Sequence, residues 1–242
     1  MSRMLTAVLG LTVLFACTGE APVEPPAEPV APPAPKAATL PVKGVVDVIT
    51  VKNETAEVPG RIEGVSGSLQ IADLDHWKGL DGTISVDLAT WNSGLELRDN
   101  RVKETFFEVA SHGTATYAVS GVKGNPAEPL AIGGAPAEMT LEGQLTFHGA
   151  THPVSLPIKV ARTAEQAFVV ESSAPVKLDS DPFGLSEQRE ALRVLCAHDS
   201  LSAEVTLSVR VALGDAQIPG TEPPSGQPEG AGEADKVPPA EK

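Results

Sequence analysis

The chain has 242 residues, 18 Lys and Arg against 32 Asp and Glu, and a formal net charge of -14. An acidic surface repels phosphate backbones, which argues against a nucleic-acid partner. The two cysteines, Cys17 and Cys196, stand far apart, so there is neither a CxxC pair nor a disulfide framework.

Residues 1–16 contain Arg3 and then an apolar run, 4–16. The run is too short to cross a bilayer, which takes about 20 residues; its shape predicts a secretory signal. It ends Leu14-Phe15-Ala16-Cys17, which resembles the lipobox of bacterial lipoproteins. That resemblance implies that Cys17 is acylated and anchors the protein to a membrane. Thr18, in place of an Asp, points to the outer membrane, with the protein facing the periplasm. The rest of 17–41 is dense in Pro, which favours an extended linker without a core. The tail, 215–242, is rich in Pro, Gly and Glu and is expected to be disordered.

Between these ends, residues 42–214 form one predicted domain. Runs at 45–51, 60–71, 82–91, 114–120, 141–147, 154–160, 168–176 and 203–213 carry the period-two alternation or β-rich composition of strands. Ile84, Val86 and Leu88 share one face, Leu145 and Phe147 another, and Leu156 and Ile158 the next. Val205, Leu207, Val209 and Val211 follow in the last strand. The 141–147 and 154–160 runs read as a hairpin across the break His148-Gly149-Ala150-Thr151-His152-Pro153. Pro157 removes a ladder donor and predicts an edge or a bulge there. About eight short strands predict an all-β fold, an antiparallel barrel or sandwich.

Two segments break the pattern. Residues 96–110 space Leu97, Val102, Phe106 and Val109 at roughly helical intervals, laying Phe106 and Phe107 on the barrel. Residues 186–197 open on Ser186 as an N-cap, and Ala191, Leu192, Leu195 and Cys196 form one apolar stripe. Each is a packed connector or a lid. Cys196, among apolar neighbours, is expected to be a small buried hydrophobe.

Several stretches resemble the YceI-like family of secreted bacterial proteins. GLELRDNRVKETFFEV resembles its Arg-Asp and Phe-Phe segment, LTFHGATHPVSL its hairpin, DSDPFGL its Asp-Phe-Gly turn, and AEVTLSVRVAL its closing strand. The chain departs from the family at Arg101, at Ser111-His112-Gly113 and at Pro182. The resemblance implies an eight-stranded antiparallel lipocalin-like barrel, with one or two short helices and disordered Pro-rich flanks. It also implies a long-chain lipid or isoprenoid ligand. The residues expected to line the tunnel are then Ile84, Val86, Leu88, Phe106, Phe107, Leu145, Phe147, Leu156, Ile158, Val205, Leu207, Val209 and Val211. Arg98 and Asp99 could meet a headgroup, although a structural pair holding the local turn is the commoner arrangement. Aliphatic inner faces suit a tunnel and a filled core equally, so a structural lipoprotein with a solid barrel remains the alternative.

No G-x-S-x-G, P-loop or dinucleotide fingerprint occurs, so neither an enzyme nor a cofactor is expected. His148 and His152 come nearest to a metal pair, but zinc takes three or four ligands. No metal site is expected on that ground. Nothing in the sequence sets the oligomeric state.

Overall fold

The computed structural model describes residues 36–218, together with Ala34. The expected signal 1–16, the acylated Cys17, most of the linker and most of the tail lie outside the described residues.

Among the described residues, nine strands form one antiparallel sheet: β1 (Ala38–Lys52), β2 (Ala56–Asp73), β3 (Lys78–Asn92), β4 (Thr114–Lys123), β5 (Ala137–Phe147), β6 (Ala150–Ala164), β7 (Ala167–Ser172), β8 (Val176–Asp179) and β9 (Glu204–Leu213). Each pairs with its neighbour in sequence up to β7, which pairs with β9, and β9 pairs with β1 to close the ring. β7 and β8 both lie along β9, so they share one stave and the closed barrel has eight. The single strand expected over 168–176 is thus two. Pro175 lacks an N–H for the ladder, and the pairing sum along β9 moves by two residues across the gap, from Glu171↔Arg210 to Val176↔Leu207.

β1 begins at Ala38, inside the stretch expected to be linker, and Pro41 pairs with Ser68. At the closing seam a methyl group on Gly44 would lie 2.4 Å from Val211 Cγ1 and 2.6 Å from the Arg210 carbonyl oxygen. Only hydrogen lets β1 and β9 approach so closely. At the same seam, Asp47 holds Arg61 of β2 at 2.6 Å and Arg210 of β9 at 2.7 Å, tying three strands together.

The β5–β6 turn is tighter than expected. Phe147 pairs with Ala150, leaving only His148 and Gly149 between the strands, with φ of 50° and 83°. Positive φ at both positions is the pattern of a type I′ hairpin, whose twist matches that of the strands it joins. Pro153 and Pro157 are accommodated because β6 pairs with β7 only from Ile158 onward, so its first half has β5 as its sole ladder partner. A single 3₁₀ turn, Asp181–Phe183, packs beside that free edge, where His152 Nε2 meets the Pro182 carbonyl oxygen at 2.9 Å.

Three short helices cross one end. Between β3 and β4 come α1 (Glu96–Arg101), a π-helical turn (Val102–Phe106) and α2 (Val109–His112). Between β8 and β9 comes α3 (Ser186–Leu195). Ser186 is the first helical residue rather than the cap, and its Oγ donates to Asp181 at 2.9 Å. The expected stripe on α3 is reduced to Leu192: Leu195 is 48% exposed and Ala191 is exposed too. Cys196 is half-buried, and Arg101 Nη1 of the facing segment reaches its sulfur at 3.8 Å.

The other end of the barrel is solid. Trp77 and Phe168 meet edge to face at 5.7 Å between ring centres, with Ile71, Leu74, Leu213, Val42 and Val160 fully buried around them. Arg162 caps this base. Its guanidinium lies 5.5 Å from the Phe168 ring centre, pairs with Asp75 at 2.6 Å, and donates to the carbonyl oxygens of Leu130 and Glu165.

Candidate functional site: an apolar cavity beneath the helices

Along β5 and β9 the packing loosens from base to lid. In β9, Leu213 and Val211 are buried, whereas the inward-facing Val209, Leu207 and Val205 are only half-buried. In β5 the same change separates Met139 and Leu141 from Leu145 and Phe147. The space left between these side chains is a cavity of about 240 Å³. An apolar cavity of ~150 Å³ is already large enough to take up benzene.

Ile84, Val86, Leu88, Leu145, Phe147, Leu156, Ile158, Val205, Leu207, Val209 and Val211 border it, with Phe106 and Phe107 entering from the lid. Further wall comes from Val46, Val48, Trp91 and Tyr117, and from Val102 and Leu192 on the two helical segments. Both segments therefore roof the cavity as well as connect strands. The Tyr117 ring occupies the space that a side chain at Gly143 would take: a methyl there would lie 2.5 Å from Tyr117 Cζ. Its hydroxyl donates to the Val154 carbonyl oxygen at 2.8 Å. Burial, followed by the nearby Glu142 charge, pushes the phenol well above its ordinary pKa, so Tyr117 stays neutral in the wall.

Arg98 and Asp99 do not border the cavity. Asp99 is buried and accepts hydrogen bonds from the Ser93 amide at 2.8 Å and the Ser93 hydroxyl. Arg98 Nε donates to Ser93 Oγ at 2.7 Å, and its Nη2 donates to the Ser93 carbonyl oxygen. Both side chains hold the turn that leads into α1. The polar lining lies elsewhere, at Thr50, Glu171, Ser172, Ser180, Arg189 and Ser202. Arg189 Nη1 is 2.7 Å from Asp181. Ser180 is buried, and its Oγ has no hydrogen-bond partner among the described residues. Ser180 and Ser202 lie in connectors without periodicity, where nothing in the sequence pattern marks them as facing inward, while Thr50 and Ser172 are near the ends of β1 and β7.

The histidines are also arranged otherwise than their spacing suggests. His152 turns to Pro182 and Phe183. His148 instead meets His112, with ring centres 4.0 Å apart, and its Nε2 lies 2.8 Å from Glu108 Oε2. The same carboxylate accepts from Gln188 Nε2 of α3 at 3.1 Å. These hydrogen bonds, His148 first and Gln188 second, lower the Glu108 pKa below its ordinary value.

The profile of the YceI-like domain matches residues 41–213. The chain belongs to the YceI-like family. Two solved structures share the YceI-like barrel. One is a polyisoprenoid-binding domain from Saccharophagus degradans implicated in plant cell wall breakdown: 18% identity, TM-score 0.59, covering 74% of this chain and 99% of that one. The other is BcnA from Burkholderia cenocepacia: 17% identity, TM-score 0.53, covering 70% of this chain and 95% of that one. At identities this low, the likeness shows the shared fold alone. No curated protein sequence matches the chain.

Proposed function

We propose that this YceI-like protein is a non-enzymatic binding protein for a long apolar or amphiphilic chain, isoprenoid-like or fatty-acid-like. The observation that carries this reading is the hollow half of the barrel, walled by aliphatic and aromatic side chains. Burying apolar ligand surface against such a wall is favourable at about 25 cal/mol per Å². The chain would lie along the barrel, with its tail stopped by the solid Trp77–Phe168 base. A polar terminus would meet Ser180, Ser202 and Arg189 rather than Arg98 and Asp99. The polyisoprenoid-binding domain that shares this fold is consistent with the ligand class.

Native mass spectrometry of the purified protein, with organic extraction of bound material, tests the reading. A co-purifying long-chain lipid, or uptake of an added fatty acid or isoprenol at one per chain, is expected. If neither occurs, the carrier reading fails and a structural lipoprotein takes its place.

The cellular setting is part of the same proposal. Acylation of Cys17 would tether the barrel to the outer membrane on its periplasmic side, with the Pro-dense stretch between Cys17 and β1 as the spacer. Cys17→Ser is then expected to move the protein from the membrane fraction to the soluble periplasmic fraction. Wild-type protein found soluble and without acyl chains would remove the anchor.

A further inference from the structure

We propose that Glu108, His112 and His148 form a binding site for a divalent first-row transition ion, with Zn²⁺ as the probe. One donor atom from each residue lies within 4.8 Å of the others. Two imidazoles and a carboxylate are a donor set that borderline ions such as Zn²⁺ accept, while Mg²⁺ and Ca²⁺ prefer oxygen ligands alone. Three protein ligands leave a position for water.

The backbone around the cluster is unusual in a way that favours the assignment. Glu108 sits in the left-handed region, at φ 49° and ψ 51°, immediately before α2. His148 is left-handed too, at the first position of a two-residue turn where Asn or Asp before Gly is the usual choice. Residues other than Gly occupy this region at a conformational cost, and such positions gather at functional sites. A third feature is Gln188. Its amide nitrogen donates to Glu108, while its buried side-chain oxygen has no partner among the described residues. A water on the bound ion would be a donor of the type that this oxygen lacks.

The site joins separate parts of the chain. Glu108 and His112 belong to the helical segment after β3, next to Phe106 and Phe107, and His148 to the β5–β6 turn. An ion would lock that segment to the barrel rim. The simpler arrangement is a metal-free hydrogen bond between Glu108 and His148, and the experiment separates the two.

Full-length protein stripped with EDTA is titrated with Zn²⁺ in competition with a chromophoric chelator. One Zn²⁺ per chain is expected, with affinity lowered more than about tenfold in His112→Ala and in Glu108→Gln. His152→Ala is expected to bind as wild type does. Added Zn²⁺ should raise the melting temperature of wild type but not of His112→Ala. Circular dichroism without metal checks that the variants fold, and if His148→Ala does not fold, the other two decide. Binding of less than one ion per chain, equal affinity in wild type and His112→Ala, or equal competition by Mg²⁺ would overturn the site.

Discussion

Phe168→Ala is expected to destabilise the protein by about 3–5 kcal/mol, the range for removing a large aromatic side chain from a packed core. Phe168 is fully buried, stands edge-on to Trp77 and lies beneath the Arg162 guanidinium. Its loss leaves a void that rigid strands cannot close, and both ring interactions go with it. Leu207→Ala should behave differently. Leu207 is half-buried and borders space that is already open, so little new cavity is created. Its cost should stay below the fully buried Leu→Ala range of about 2–5 kcal/mol, nearer the transfer term alone. Urea denaturation of both variants, with unchanged m-values, measures the contrast. Equal losses would mean that the lid half is as tightly filled as the base.

Leu207→Trp is expected to leave the fold nearly as stable as wild type while strongly weakening ligand binding. In a filled core the same substitution would strain the packing by about 1–3 kcal/mol. Here the indole has room to enter the cavity between β9 and the lid residues Phe106 and Leu192. A side chain of that size displaces roughly four methylene groups of ligand, at about 0.8 kcal/mol each. That corresponds to a loss of affinity on the order of a hundredfold. Titration with a fluorescent long-chain fatty acid, alongside a thermal melt, reads both quantities. A destabilised variant that still binds the probe would show that the ligand lies somewhere other than this cavity.

Much of the barrel could be read from alternation. The period of two in β3, β5, β6 and β9 assigns each side chain to a face, and the inward face is the one that borders the cavity. Alternation cannot say whether that face meets another side chain or empty space. Val211 and Val205 occupy equivalent positions in one strand, yet Val211 is buried and Val205 is not. The difference comes from what stands opposite: Trp77 and Phe168 fill one end, arriving from a turn after β2 and from the start of β7. The division of 168–176 had a visible cause in Pro175, but its two-residue change in pairing depends on β9, far away in sequence. The apolar spacing in 186–197 overstated burial because only Leu192 of that stripe reaches the cavity, and the neighbouring Leu195 faces outward. The cluster of Glu108, His112 and His148 was hidden for a related reason. Forty residues separate Glu108 from His148, and only the antiparallel return of β5 brings them together.

The seam between β1 and β9 joins the first strand of the domain to the last, with Val42 opposite Leu213 and Ile49 opposite Thr206. Closing it brings together segments more than 150 residues apart, so the entropy of a very long loop must be lost before the final ladder forms. Until β9 is available, β1 has only β2 beside it and β7 only β6, and both present unpaired backbone to other chains. The interval between the emergence of β1 and the arrival of β9 is therefore when the chain is most exposed to aggregation. The acidic charge of the whole chain, -14, acts in the same interval by keeping the unfinished copies apart.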